Sequence, residues 1–223
     1  MTQSTMSTER REFLSGIAIT AAAAGLSVAA AGSAPALAAD APVTDFTRWL
    51  DSISGKQRIV LDVREPNGGM ALAWAWVYLF TGPQAYGVPE SDMGTVMVFR
   101  HNAIPLALED AMWKKYKLGE YFKIDDPLTK APAVRNPFYL KPEEPLIPDM
   151  ALQKLIDRGV MAVACDMAIH YYSGELAKQM DLKHDDVKAE WMKATLPKVA
   201  HAPSGVVACH GAVSRGCAYI FAG

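Results

Sequence analysis

The chain has 223 residues, 22 basic and 24 acidic, for a formal net charge of −2. That balance offers no electrostatic case for nucleic acid or an anionic membrane surface as a partner. Three cysteines, Cys165, Cys209 and Cys217, all fall in the last third, and an odd count leaves at least one thiol unpaired within the chain.

The first 38 residues have the three parts of an export signal. Arg10-Arg11-Glu12-Phe13-Leu14 leads into the uncharged stretch 16–31, and Ala36-Leu37-Ala38 offers a small-residue cleavage point. Paired arginines before an alanine-rich stretch resemble a twin-arginine signal. The sequence therefore predicts an exported, periplasmic protein that meets the twin-arginine translocase. At 16 residues the apolar stretch is short of the ~20 needed to span a bilayer, so no stable membrane insertion is expected. Glu9, Arg10, Arg11 and Glu12 leave together, and the net charge of the remaining chain is unchanged.

Residues 39–57 read as a linker, and 58–223 as one domain large enough for a full hydrophobic core. The run 59–63 reads as a strand, Asn67-Gly68-Gly69 as its turn and 70–80 as an apolar helix. The unit recurs with strand 95–100, turn His101-Asn102 and helix 104–116. After it, 123–148 holds six prolines, at 127, 132, 137, 142, 145 and 148, and reads as a stiff excursion or flap.

A third unit follows: helix 150–158, strand 160–164 and helix 166–178. The chain closes with a short strand at 199–201, a helix opened by Pro203-Ser204-Gly205 and a terminal strand at 217–221. Alternation of this kind predicts an α/β fold, a mostly parallel sheet with helices on both faces.

Ligands of such sheets bind beyond the carboxyl ends of the strands. Four exits carry Asn67-Gly68, His101-Asn102, Cys165-Asp166 and Ser204-Gly205, which are expected to share one cleft and contact substrate. Cys165 opens a helix, where unpaired N–H groups favour a thiolate; an ordinary buried cysteine is the other reading. His101 is either a partner of that sulfur or a substrate-orienting group, or else a structural histidine. Ser204 either caps its helix or helps hold an anion.

No Cys-x-x-Cys or His-Glu-x-x-His pattern gathers Cys165, His170, Cys209, His210 and His101 into a metal site, and no cofactor fingerprint is present. The spacing of Cys209 and Cys217 along a helix argues against a bond between them. Trp74, Trp76, Met70, Met112 and Trp113 read as core.

The segments Gly159-Val160-Met161-Ala162-Val163-Ala164-Cys165, Pro203-Ser204-Gly205-Val206 and Arg215-Gly216-Cys217-Ala218-Tyr219-Ile220 resemble the DsrE/DsrF-like family of sulfur-handling proteins. Val98-Phe99-Arg100-His101, Leu106-Ala107-Leu108 and Trp113-Lys114-Lys115-Tyr116 look like the second strand and helix of its exported members. The resemblance implies a DsrE-like three-layer sandwich that forms homo-oligomers or pairs with paralogues, and Cys165 as a persulfide carrier or sulfurtransferase residue with a sulfur donor or acceptor protein as partner. It equally admits a non-catalytic ligand-binding or assembly module of the same fold. Helices apolar around more than one face point the same way, to a dimer or trimer with the excursion packed over a helix or reaching into a neighbouring subunit.

Overall fold

A computed structural model describes residues 44–143 and 146–223; the twin-arginine-like segment 1–38 lies outside the described residues. Five parallel strands form one sheet in the order β4-β3-β2-β1-β5. They are β1 (Gln57–Val63), β2 (Met93–Phe99), β3 (Met161–Cys165), β4 (Val199–Ala202) and β5 (Ala218–Phe221). The first three are near-continuous apolar runs, as strands covered on both faces must be.

The helices are α1 (Asp45–Asp51), α2 (Met70–Tyr86), α3 (Asp110–Lys115), α4 (Leu118–Phe122), α5 (Leu152–Asp157), α6 (Asp166–Gln179), α7 (His184–Lys193) and α8 (Gly205–Val213). From β1 to β4 the chain steps across the sheet in one direction, and right-handed crossovers keep those connections on one face. The step from β4 back to β5 reverses direction, so α8 covers the opposite face. The core divides accordingly. Leu61, Val63, Met97 and Phe99 pack under the α2 and α6 layer, whereas Val60, Val96, Val98 and Val163 pack against Ala208, Cys209 and Ala212 of α8 and Leu50 of α1. The expected α/β architecture with helices on both faces is what forms.

Local departures have identifiable causes. The 39–57 segment contains α1, whose N-cap Thr44 accepts the Thr47 N–H. The 104–116 helix is broken into a 3-10 stretch, His101–Ala107, and α3. Pro105 lies inside that stretch, and Asn136 of the excursion donates to the Leu106 and Leu108 carbonyls at 2.9 and 3.0 Å, which a continuous helix would bond internally. Helix α2 outruns its expected end, passes Pro83, and stops at Gly87 in the left-handed conformation.

The excursion folds back on its own chain, burying Ile124, Ala133, Phe138 and Leu146. Asn136 anchors it to the Leu106 and Leu108 carbonyls, and the Arg135–Asp126 ion pair at 2.9 Å braces it internally. It lies over the start of α2, where a Cβ on Gly69 would come within 2.6 Å of Leu146 and 2.8 Å of Phe138. Trp113 and Met112 are buried, but Trp74, expected in the core, is 37% exposed. Helix α2 is apolar all round, and the sheet covers only one side of it.

Candidate functional site

Beyond β1 the chain exit leaves a cleft of about 520 Å³. Glu65, Pro66, Asn67 and Gly68 line it from the β1 exit, and Phe122 at the end of α4 together with Lys123, Ile124, Asp125, Phe138 and Glu143 of the excursion line it from the other chain segment. The β1 exit is sharply turned, with Asn67, Gly68 and Gly69 at φ 41°, 58° and 80°. The left-handed region is sterically costly for a side chain, which is why this turn carries glycines.

Glu65 is held from behind. Asn102 Nδ2 donates to Glu65 Oε2 at 2.8 Å, and Tyr172 Oη of α6 donates to Asn102 Oδ1 at 2.5 Å. The Asn102 amide is thus committed in both directions and Glu65 has one orientation. His101, at φ 50°, brings Nδ1 to 3.4 Å from Glu65 Oε1, an electrostatic approach that falls short of a hydrogen bond. Its ring stands edge-on to Tyr172 at 6.0 Å. Burial, then Arg64 and Arg100, push the His101 pKa down despite Glu65, so the ring is neutral at pH 7. Burial likewise pushes the Tyr172 hydroxyl up, keeping it a hydrogen-bond donor.

A second polar group lies on the α8 side of the same strand ends. Asp62, 2% exposed, accepts from Arg100 Nε at 2.6 Å and Nη2 at 2.8 Å, and from Tyr219 Oη of β5 at 2.5 Å. Burial alone would raise the Asp62 pKa, but the hydrogen bonds from Arg100 and Tyr219 outweigh it and hold the carboxyl below its ordinary value. Burial, followed by the nearby Asp62 charge, pushes the Cys209 thiol up to about 12. Arg100 lies along the first turn of α8, where a Cβ on Gly205 would meet Arg100 Cβ at 2.6 Å.

Cys165 is the N-cap of α6. Its sulfur accepts the Ala168 N–H at 3.3 Å, and the residue is 6% exposed. It stands where β3 leaves toward α6 and the adjacent β4 leaves toward α8, the topological switch point of the sheet. Next to it Asp166 Oδ1 meets His201 Nδ1 at 2.7 Å. All three cysteines are free thiols.

The structure therefore separates residues expected in one cleft. Asn67 and Gly68 line it, and Asn102 and His101 adjoin it through Glu65. Cys165 is not among its lining residues, and among the described residues its sulfur accepts the Ala168 N–H and makes no hydrogen bond with His101, so of the roles expected for that ring the sulfur partner is the one this arrangement does not provide. Ser204 caps α8, accepting the Val207 N–H at 3.2 Å, and Gly205 packs on Arg100, away from the cleft lining. Sequence reasoning missed Glu65, Tyr172, Asp62, Arg100, Tyr219 and His201. Asp62 alone left a signal, as a lone carboxylate inside an apolar strand. Among the described residues no group of three or more His, Cys, Asp or Glu side chains gathers as a metal site.

Compared with known proteins, the chain matches no protein-family model and no curated sequence.

Proposed function

We propose that this is an exported, DsrE-like α/β protein that binds a small ligand in the cleft beyond β1, with no covalent chemistry of its own. One observation carries the reading: Glu65 is fixed in a cleft wall by Asn102 and Tyr172, while no cysteine lines that cleft. Pre-oriented polar groups within partly apolar walls are what a small-molecule site requires. Export rests on the twin-arginine-like segment, and the DsrE-like assignment on the segments around Cys165, Ser204 and Cys217.

A thermal-shift screen of polar metabolites tests this. A binder should raise the melting temperature, Glu65→Gln should abolish the rise, and Cys165→Ser should keep it. A shift that ignores Glu65→Gln but disappears in Cys165→Ser would overturn the reading.

The second reading is a sulfur carrier acting with a donor or acceptor protein, favoured by the seat of Cys165 at the switch point beside the Asp166–His201 pair. Its thiolate would attack a polysulfide sulfur, forming a persulfide while a shorter polysulfide leaves. A gain of about 32 Da on Cys165 alone after polysulfide treatment would establish that chemistry.

A further inference from the structure

The two edges of the sheet are finished differently. The β4 edge is bracketed by Lys198, which is paired with Asp157 at 3.0 Å, and by Pro203, which has no N–H to offer. Lysine and proline are the usual guards of an exposed edge. The β5 edge has neither, and 216–223 contains no charged residue.

Among the described residues β5 pairs only with β1. It is also bare on both faces, with Tyr219 51%, Ile220 39% and Phe221 53% exposed. Register puts Tyr219 and Phe221 opposite Val60 and Asp62 on the α8 face, and Ile220 opposite Leu61 on the α2 face. Strands of all-parallel sheets are normally covered on both sides.

We infer that the outer edge of β5 is a dimer interface, at which the β5 of a second copy adds antiparallel about a two-fold axis normal to the sheet. The open backbone row sets the class of protein occupant, since an added strand pairs the alternating N–H and C=O groups along the whole edge. The neighbouring helices fix its character. Neither α2 nor α8 contains an Asp, Glu, Lys or Arg, and α2 exposes Trp74, Val77 and Phe80. Helix α2 packs over β1, the strand with which β5 pairs. An uncharged apolar flank is complemented by another, and a two-fold axis normal to the sheet supplies one by turning each face toward its own copy.

The ladder geometry makes the inference testable at single-residue level. Ala222 N–H donates inward to the Asp62 carbonyl at 2.9 Å. Strand alternation therefore points the N–H groups of Tyr219 and Phe221 outward. Phe221→Pro removes an outward donor and leaves the pairing with β1 intact, the one setting in which a strand tolerates proline. Ile220→Lys places a charge in the apolar flank.

Sedimentation velocity should find the purified protein dimeric at micromolar concentration. Each variant should weaken dimerisation by roughly tenfold or more while leaving the circular-dichroism spectrum unchanged. Hydrogen exchange on the wild type supplies a readout without mutation: the Tyr219 and Phe221 amides should be protected at high concentration and lose protection on dilution. A monomer at high concentration overturns the inference. So does a dimer in which those two amides exchange freely.

Discussion

Two polar clusters stand at the same end of the sheet, and they use the same chemistry to opposite ends. On the α8 side Asp62 is buried, and its carboxylate accepts from Arg100 and Tyr219, both inside the fold. On the α6 side Glu65 is also held by neighbours, yet its side chain is 35% exposed and faces a cleft. The first cluster ties three strands together, since Asp62, Arg100 and Tyr219 belong to β1, the end of β2 and β5. The second orients a group toward space that the protein itself leaves unfilled. A saturated, buried network is a structural device, whereas an oriented, part-exposed one is where a ligand can still gain a contact.

The largest effect should come from the buried cluster. Asp62→Ala leaves the Arg100 guanidinium without its counter-charge and Tyr219 without its acceptor, and removing one partner of a buried pair costs about 3–5 kcal/mol. Urea denaturation should show it. The same carboxylate sets an acid limit. Its folded pKa lies below the ordinary 3.8, so its stabilisation is complete at neutral pH and declines as pH falls from about 3.8 through the lower folded value. Asp62→Asn should flatten that part of the stability profile, and an unchanged acid slope would show that other carboxylates set the limit.

The turn beneath the cleft offers a matched pair of glycines. Gly68 at φ 58° has nothing within 4 Å of a would-be Cβ, whereas Gly69 at φ 80° has Leu146 and Phe138 within 3 Å. Gly68→Ala should therefore cost only the left-handed penalty of about 1 kcal/mol. Gly69→Ala adds a clash with the excursion and should cost roughly 2–3 kcal/mol. The excess should appear as faster proteolysis within the excursion, because that wall must shift. Equal costs at the two positions would show that the excursion yields freely.

Asn102→Ala should cost less, about 1 kcal/mol, since it breaks two hydrogen bonds at a part-exposed site. Its effect on ligand-induced thermal shift should exceed that stability loss, because Glu65 loses its fixed orientation. The Asp62 variants should show the reverse pattern, with a large loss of stability and little change in the shift per mole of ligand. If both clusters respond alike, the division between them fails.

The sheet was legible in the sequence because its three central strands are apolar runs bounded by turns, as in Ile59-Val60-Leu61. Helix α7 was not. Its pattern of Val187 and Trp191 buried among charged residues is short, and it lies between better-marked elements. The broken 104–116 helix was hidden for a different reason, since its carbonyls are claimed by Asn136, about thirty residues away. At the site, Asn67-Gly68 announced itself through glycine chemistry, which is local. Glu65, Asn102 and Tyr172 are separated by 37 and 70 positions, and Asp62 from Tyr219 by 157. Only the fold makes those neighbours, so no spacing rule reveals them.

The smallest expected effect is at Cys165, and it bears on chemistry more than on stability. Serine is at least as good an N-cap as cysteine, and the Ala168 N–H needs only an acceptor, so Cys165→Ser should change stability by less than about 1 kcal/mol. Reactivity is the sharper measurement. Cys165, Cys209 and Cys217 are 6%, 8% and 4% exposed. Burial raises the pKa of Cys209 and Cys217, and a buried thiol reacts only when local unfolding exposes it. All three should therefore react slowly with a water-soluble disulfide reagent in the native protein, and together once denaturant unfolds it. The alternative gives a distinct trace: one rapid equivalent in the native state, abolished by Cys165→Ser. That outcome would mean the switch point opens around Cys165 on its own, and it would move the functional site from the cleft beyond β1 to the thiol at the end of β3.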